Sequence, residues 1–178
     1  MKKQPTYILI FYLIVFIYFG FFLSLFFPSL FTLGLYPRET WGLLGVITAP
    51  FIHASWEHLI ANTIGLAIFG FIMSWLVKTA VTGIIFYIVI VCGLLTWVFA
   101  REGNHIGASG LVFGLFGYLI TIGFFQRQLK PILVSIVVAA VWGGTIIGVL
   151  PSSPYVSWEA HLIGFLVGVS AARFGYRA

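Results

Sequence analysis

Charge is scarce in this sequence. Of 178 residues, nine are Lys or Arg, four are Glu and none is Asp. Soluble domains carry about a quarter charged residues, and the 7% here cannot build a water-facing surface. With 61% hydrophobic residues and a mean hydropathy of +1.13, the chain is read as dissolved in lipid. Cysteine is nearly absent too. Cys92 stands alone in an apolar run, so no intrachain disulfide is possible, and it reads as a small core residue. There is no His-Glu-x-x-His, which argues against a helix-borne metalloprotease site and a metal. The basic residues are spread along the chain and form no patch for nucleic acid. Mid-helix charges and internal repeats, the marks of a transporter or channel, are missing as well. The length suits one membrane domain, residues 1–178.

What is present is a series of long apolar runs punctuated by charge and proline. The first, from Tyr7 to Leu35, is too long for a signal-peptide core of about 7–15 residues and has no small-residue cleavage site after it. It is expected to be a spanning helix over 7–27. Five more are expected over 56–77, 80–100, 109–125, 131–150 and 158–174. Each is near the ~20 residues that a span requires. The expected fold is therefore an all-α bundle of six transmembrane helices.

Orientation follows from the cations. With six crossings and the N-terminus inside, Lys2, Lys3, Lys78, Arg127, Lys130, Arg173 and Arg177 fall in the cytoplasm, against Arg38 and Arg101 outside. Glu39, Glu57, Glu102 and Glu159 fall on or near the outside. Both termini are thus expected to be cytoplasmic. The long outside connection, 30–55, is apolar around Trp41-Gly42-Leu43-Leu44. It is expected to lie in the membrane interface, packed on the bundle, or both.

In this topology the second, fourth and sixth helices begin on the outer face. His58, Ser109 and His161 stand at those beginnings, at one depth. A serine hydroxyl needs a base to become a nucleophile, and a histidine can serve at neutral pH. With no Asp and with every Glu in or beside a loop, the arrangement is a Ser–His dyad whose imidazole is held by packing. An acyl-transfer site also needs donors for an oxyanion. His58 and Asn62, at i and i+4 on one helix face, and the unpaired N–H groups at the start of the fourth helix can supply them. Gly107 gives the backbone freedom before the serine. Gly110, Gly114 and Gly117 on one helix, and Ala160, Gly164, Gly168 and Ala172 on another, allow close approach of the two backbones. Glu57 and Glu159 each stand beside a motif histidine whose pKa they could tune, but at helix starts they are read first as capping residues. His53 is expected to bond loop backbone or to line a water path.

At these residues the chain resembles the rhomboid family of intramembrane serine proteases. The matching pieces are His58-Leu59-Ile60-Ala61-Asn62, Gly107-Ala108-Ser109-Gly110 and Ala160-His161-Leu162-Ile163-Gly164. Their order, helix assignment and orientation match, and the resemblance covers nearly the whole chain as a minimal six-helix core. It implies Ser109 as nucleophile, His161 as general base, and His58, Asn62 and the Ser109 amide as oxyanion hole. Gly107, Gly110 and Gly164 would support that geometry. It implies no cofactor, and as partners the bilayer and single-span membrane-protein substrates cut at a small residue. The fifth helix and the neighbouring loops would gate access. Phe113 stands where many members have a Tyr that stacks on the base, and a Phe ring can stack too. The Trp-Arg dipeptide of some members' first loop is missing near Leu44-Gly45. A catalytically inactive relative that binds membrane helices is the competing expectation; such proteins usually lack the serine or the histidine. The Lys-Lys start and the lack of a targeting sequence suggest a bacterial inner membrane.

Overall fold

The computed structural model describes residues 6–77, 81–151 and 155–174. The orientation markers Lys2, Lys3, Lys78 and Arg177 lie outside these residues, as do 152–154 of the expected stop after the fifth helix. Among the described residues seven α-helices follow in order: α1 Thr6–Phe26, α2 Gly45–Thr48, α3 Trp56–Val77, α4 Val81–Phe99, α5 Ser109–Gln126, α6 Leu129–Trp142 and α7 Trp158–Phe174. Among the described residues the only β-type pairing is one antiparallel bridge, Leu35 to His105. Five helical stretches among these residues are long and apolar enough to cross a membrane: Tyr7–Phe26, Trp56–Val77, Val81–Phe99, Ser109–Gln126 and Leu129–Val149. α7 has 17 residues, about 25 Å of helix against about 30 Å of hydrocarbon.

α5 is the centre of the bundle. Its residues from Leu111 to Leu119 are all buried, which is the signature of a helix apolar all round. α3, α4, α6 and α7 pack against it, α7 most extensively. Lipid is as apolar as a leucine side chain, so burial alone does not drive this packing; close contact does. The glycine stripes provide it. A Cβ on Gly164 would strike the Gly110 carbonyl, one on Gly168 the Gly114 carbonyl, and one on Gly117 the Phe165 carbonyl. α1 leans on α3 and points Phe11, Phe16, Phe19, Phe22 and Phe26 outward.

The expected fifth helix, 131–150, needs correction. It starts two residues earlier and is α-helical only to Trp142; Gly143–Val149 is a 3-10 turn. A Cβ on Gly143 or Gly144 would meet nothing within 4 Å. Two adjacent glycines with no packing partner hold an α-helix poorly, and the tighter turn takes over. Ser135 fastens the α-helical part to α5, accepting from the Gly123 N–H at 3.0 Å and donating to the Leu119 carbonyl at 2.7 Å.

The 30–55 connection packs on the bundle, one of the two roles expected of it. Gly42, Gly45, Val46 and Ala49 are buried, with Val46 against Gly93 of α4. Trp41, Leu44 and Ile47 point outward from the bundle.

Candidate active site

α3, α5 and α7 begin at one end of the bundle, and their first turns open onto a cavity of about 780 Å³. His58, Asn62, Ser109, Phe113 and His161 all line it. Residues separated by a hundred positions in sequence thus share one hollow.

Ser109 is the first residue of α5 and is only 8% exposed. The loop before it is held tightly. Gly107 has φ +100, a conformation that side-chain-bearing residues rarely adopt. Its N–H donates to the Ala49 carbonyl at 2.9 Å. A Cβ there would collide with the His58 ring and touch Asn62 Nδ2 at 3.5 Å. Gly107 therefore serves close approach as well as conformation: its bare Cα lets His58 and Asn62 lie beside the serine loop. The next amide, Ala108 N–H, donates to His53 Nε2 at 3.4 Å. His53 is fully buried and bonds loop backbone, one of the two roles expected for it; it does not line the cavity. Burial, and then the nearby His58, push its pKa down to about 4, so the ring is neutral at pH 7. Its Nδ1 faces the Phe51 carbonyl without reaching hydrogen-bond geometry. Although His53 precedes the helix, its ring centroid is 4.9 Å from that of His58.

His161 is held on two sides. Its Nδ1 lies 2.8 Å from the Gly148 carbonyl. A carbonyl only accepts, so Nδ1 carries the proton and Nε2 is left with a lone pair. The ring stacks on Phe113, with centroids 4.3 Å apart and planes 9° from parallel. Gly148 is itself against the Phe113 ring, where a Cβ would sit 2.6 Å from Cζ. The orienting role that a carboxylate fills in a Ser-His-Asp triad is here open to a backbone carbonyl on the 3-10 tail of α6.

Asn62 is buried and spends one N–H on the His58 carbonyl one turn back, at 3.0 Å. Its second N–H remains for another acceptor. The His58 N–H is capped by Ser55 Oγ at 3.3 Å. Gly110 lies against Cys92 Sγ and the Ala160 carbonyl.

The family model for the Rhomboid domain matches residues 37–178. The chain belongs to the rhomboid family. Uncharacterized proteins of Mycobacterium bovis and Mycobacterium tuberculosis are each 41% identical to it over 148 residues, 78% of this chain and 62% of theirs. A chloroplastic protein of Arabidopsis thaliana, rhomboid-like protein 11, is 33% identical over 145 residues, 69% of this chain and 49% of its own. This rhomboid thus spans about three-fifths of the length of the mycobacterial relatives.

Two features of the rhomboid site escaped the sequence. Gly148 bears on His161 through its carbonyl, and no side-chain pattern signals that. Glu159 is not the helix cap expected of it. Its carboxylate turns to Arg101, 3.5 Å away, and it is buried. Its place two residues before His161, in a chain with four acidic residues, was the available clue.

Proposed function

We propose that this rhomboid is an intramembrane serine endopeptidase with Ser109 as nucleophile and His161 as general base. The observation that carries the reading is the His161 ring, fixed by Gly148 and Phe113 with Nε2 unprotonated, in the cavity that Ser109 lines. His161 Nε2 takes the Ser109 hydroxyl proton as Oγ attacks the scissile carbonyl. The carbonyl π electrons move to oxygen, and the oxyanion is stabilised by the Ser109 amide, His58 and Asn62. On collapse the C–N bond breaks, and protonated His161 gives its proton to the leaving amine. Water then hydrolyses the acyl-serine by the same route in reverse order. The substrates proposed are single-span membrane proteins with a weakly helical segment near the outer face and a small residue at the cut. The proposed setting is six crossings, with both termini cytoplasmic, in a bacterial inner membrane. Arg127, Lys130 and Arg173 support that orientation, because they lie at the end of the bundle away from the cavity, while all four glutamates lie at the cavity end.

The test is cleavage of a model single-span substrate in liposomes by wild type, Ser109→Ala and His161→Ala. Cleavage by wild type alone is expected, together with fluorophosphonate labelling at Ser109. Cleavage that persists in Ser109→Ala refutes the mechanism. A wild type that neither cleaves nor labels indicates the inactive, helix-binding alternative.

A further inference from the structure

One wall of the cavity is a polar cluster for which the acyl-transfer steps have no use. It joins the 101–108 loop, which leads into Ser109, to the 156–159 segment, which leads into His161. His105 is buried and is its hub. Its Nε2 lies 2.9 Å from the Arg101 carbonyl and must donate to it. Burial lowers its pKa, so the ring is neutral and Nδ1 accepts from the Ser157 hydroxyl at 2.9 Å. Its backbone makes both hydrogen bonds of the bridge to Leu35, each 2.9 Å. Arg101 spans the same gap from the other side. One guanidinium nitrogen donates to the Val156 carbonyl at 2.7 Å and another pairs with Glu159 Oε1 at 3.5 Å.

Glu159 gives the cluster its meaning. Its side chain is 10% exposed, and Oε2 is buried with no hydrogen-bond partner. A half-satisfied buried carboxylate is a poor source of stability; such pairs can often be exchanged for apolar residues without loss. What this pair does provide is a fixed geometry. His105 lies four residues before Ser109, and Glu159 lies two before His161. The glycine stripes set the separation of α5 and α7 along their bodies, and the cluster fixes it at the mouth, where the two side chains have to meet.

We propose that Arg101, His105, Ser157 and Glu159 are positioning residues, a latch between the serine loop and the start of α7 that sets how Ser109 meets His161. This rests on the protease reading above. Loosening the latch misplaces nucleophile and base by a fraction of an ångström while leaving the substrate cavity in place. The effect belongs in turnover, about 10-fold by the steep dependence of such reactions on alignment, with little change in KM. Because Arg101 and Glu159 act as one unit while Arg101 also holds the Val156 carbonyl, losing both should cost no more than losing Arg101 alone.

The experiment uses the full chain in liposomes, as wild type, Glu159→Gln, Ser157→Ala, Arg101→Lys, Arg101→Gln and the double variant Arg101→Gln/Glu159→Gln. The readouts are kcat and KM on a single-span substrate, the rate of fluorophosphonate labelling of Ser109, and Tm. Arg101→Lys keeps the charge but loses the fork that reaches two acceptors, and it is the mildest variant should another fail to fold. The expected result is a roughly 10-fold fall in kcat and labelling rate, KM within about twofold, and a double variant no worse than Arg101→Gln. Wild-type kcat in the folded single variants overturns the latch. So does a loss confined to KM, a loss that tracks the folded fraction, or a double variant whose losses multiply. Those results leave the protease reading standing. A wild type that neither cleaves nor labels overturns that reading and the latch with it.

Discussion

Replacing Gly164 with alanine adds one methyl group at the close crossing of α5 and α7 nearest to Ser109 and His161. That methyl would overlap the Gly110 carbonyl oxygen and lie 3.0 and 3.1 Å from the Gly110 carbonyl carbon and Cα. All three are backbone atoms, so no side chain can swing aside. Ordinary contact begins near 3.4 Å, and relieving the overlap with oxygen requires the helices to part by about 1 Å. Ser109 begins α5 one residue before Gly110, and His161 lies three residues before Gly164. The displacement therefore reaches the proposed dyad. A misplacement of about 1 Å costs on the order of 100-fold in rate, and overpacking destabilises by about 1–3 kcal/mol. The assay is kcat/KM on a single-span substrate together with Tm, with Gly143→Ala as the control because its added methyl meets nothing within 4 Å. If Gly164→Ala keeps activity within about threefold of wild type while remaining folded, the claim that this crossing sets the dyad distance is wrong.

Phe113→Ala removes the ring stacked on His161 and should lower kcat about 10-fold, on the scale of about 0.5–1.5 kcal/mol for such a pair; Phe113→Tyr keeps the stack and should stay near wild type in the same assay. Asn62→Ala removes one proposed oxyanion donor and should cost on the order of 100-fold in kcat with little change in KM, which steady-state kinetics would resolve. His53 is held neutral with its pKa lowered from 6.5 to about 4. The unfolded chain therefore binds the extra proton first, and the His53 contribution to stability is complete above about pH 6.5 and falls as pH drops towards 4. At full extent it is on the order of 3 kcal/mol. Tm measured against pH should fall across that window, and His53→Gln should flatten the fall, leaving the smaller contribution of His105, whose pKa is lowered in the same direction.

Much of this protein was legible in one dimension. The limits of α3 and α7, Trp56–Val77 and Trp158–Phe174, coincide with those expected from hydropathy and charge, because lipid admits few charges and no unpaired backbone. The glycine spacing on α5 and α7 foretold their contact, since small residues four apart are what allow membrane helices to touch. The residue types and positions of His58, Asn62, Ser109 and His161 were enough to expect them on one face, and they line one cavity. The 3-10 tail of α6 was not legible, nor the carbonyl of Gly148 that holds His161. The choice of Arg101 over a helix cap by Glu159 was hidden too. The difference is physical. Solvent preference and close packing act through side-chain type and period, which a sequence records. Which backbone carbonyl faces an imidazole, and which cation a buried carboxylate finds, depends on loops meeting across the bundle, and only the tertiary structure brings those loops together.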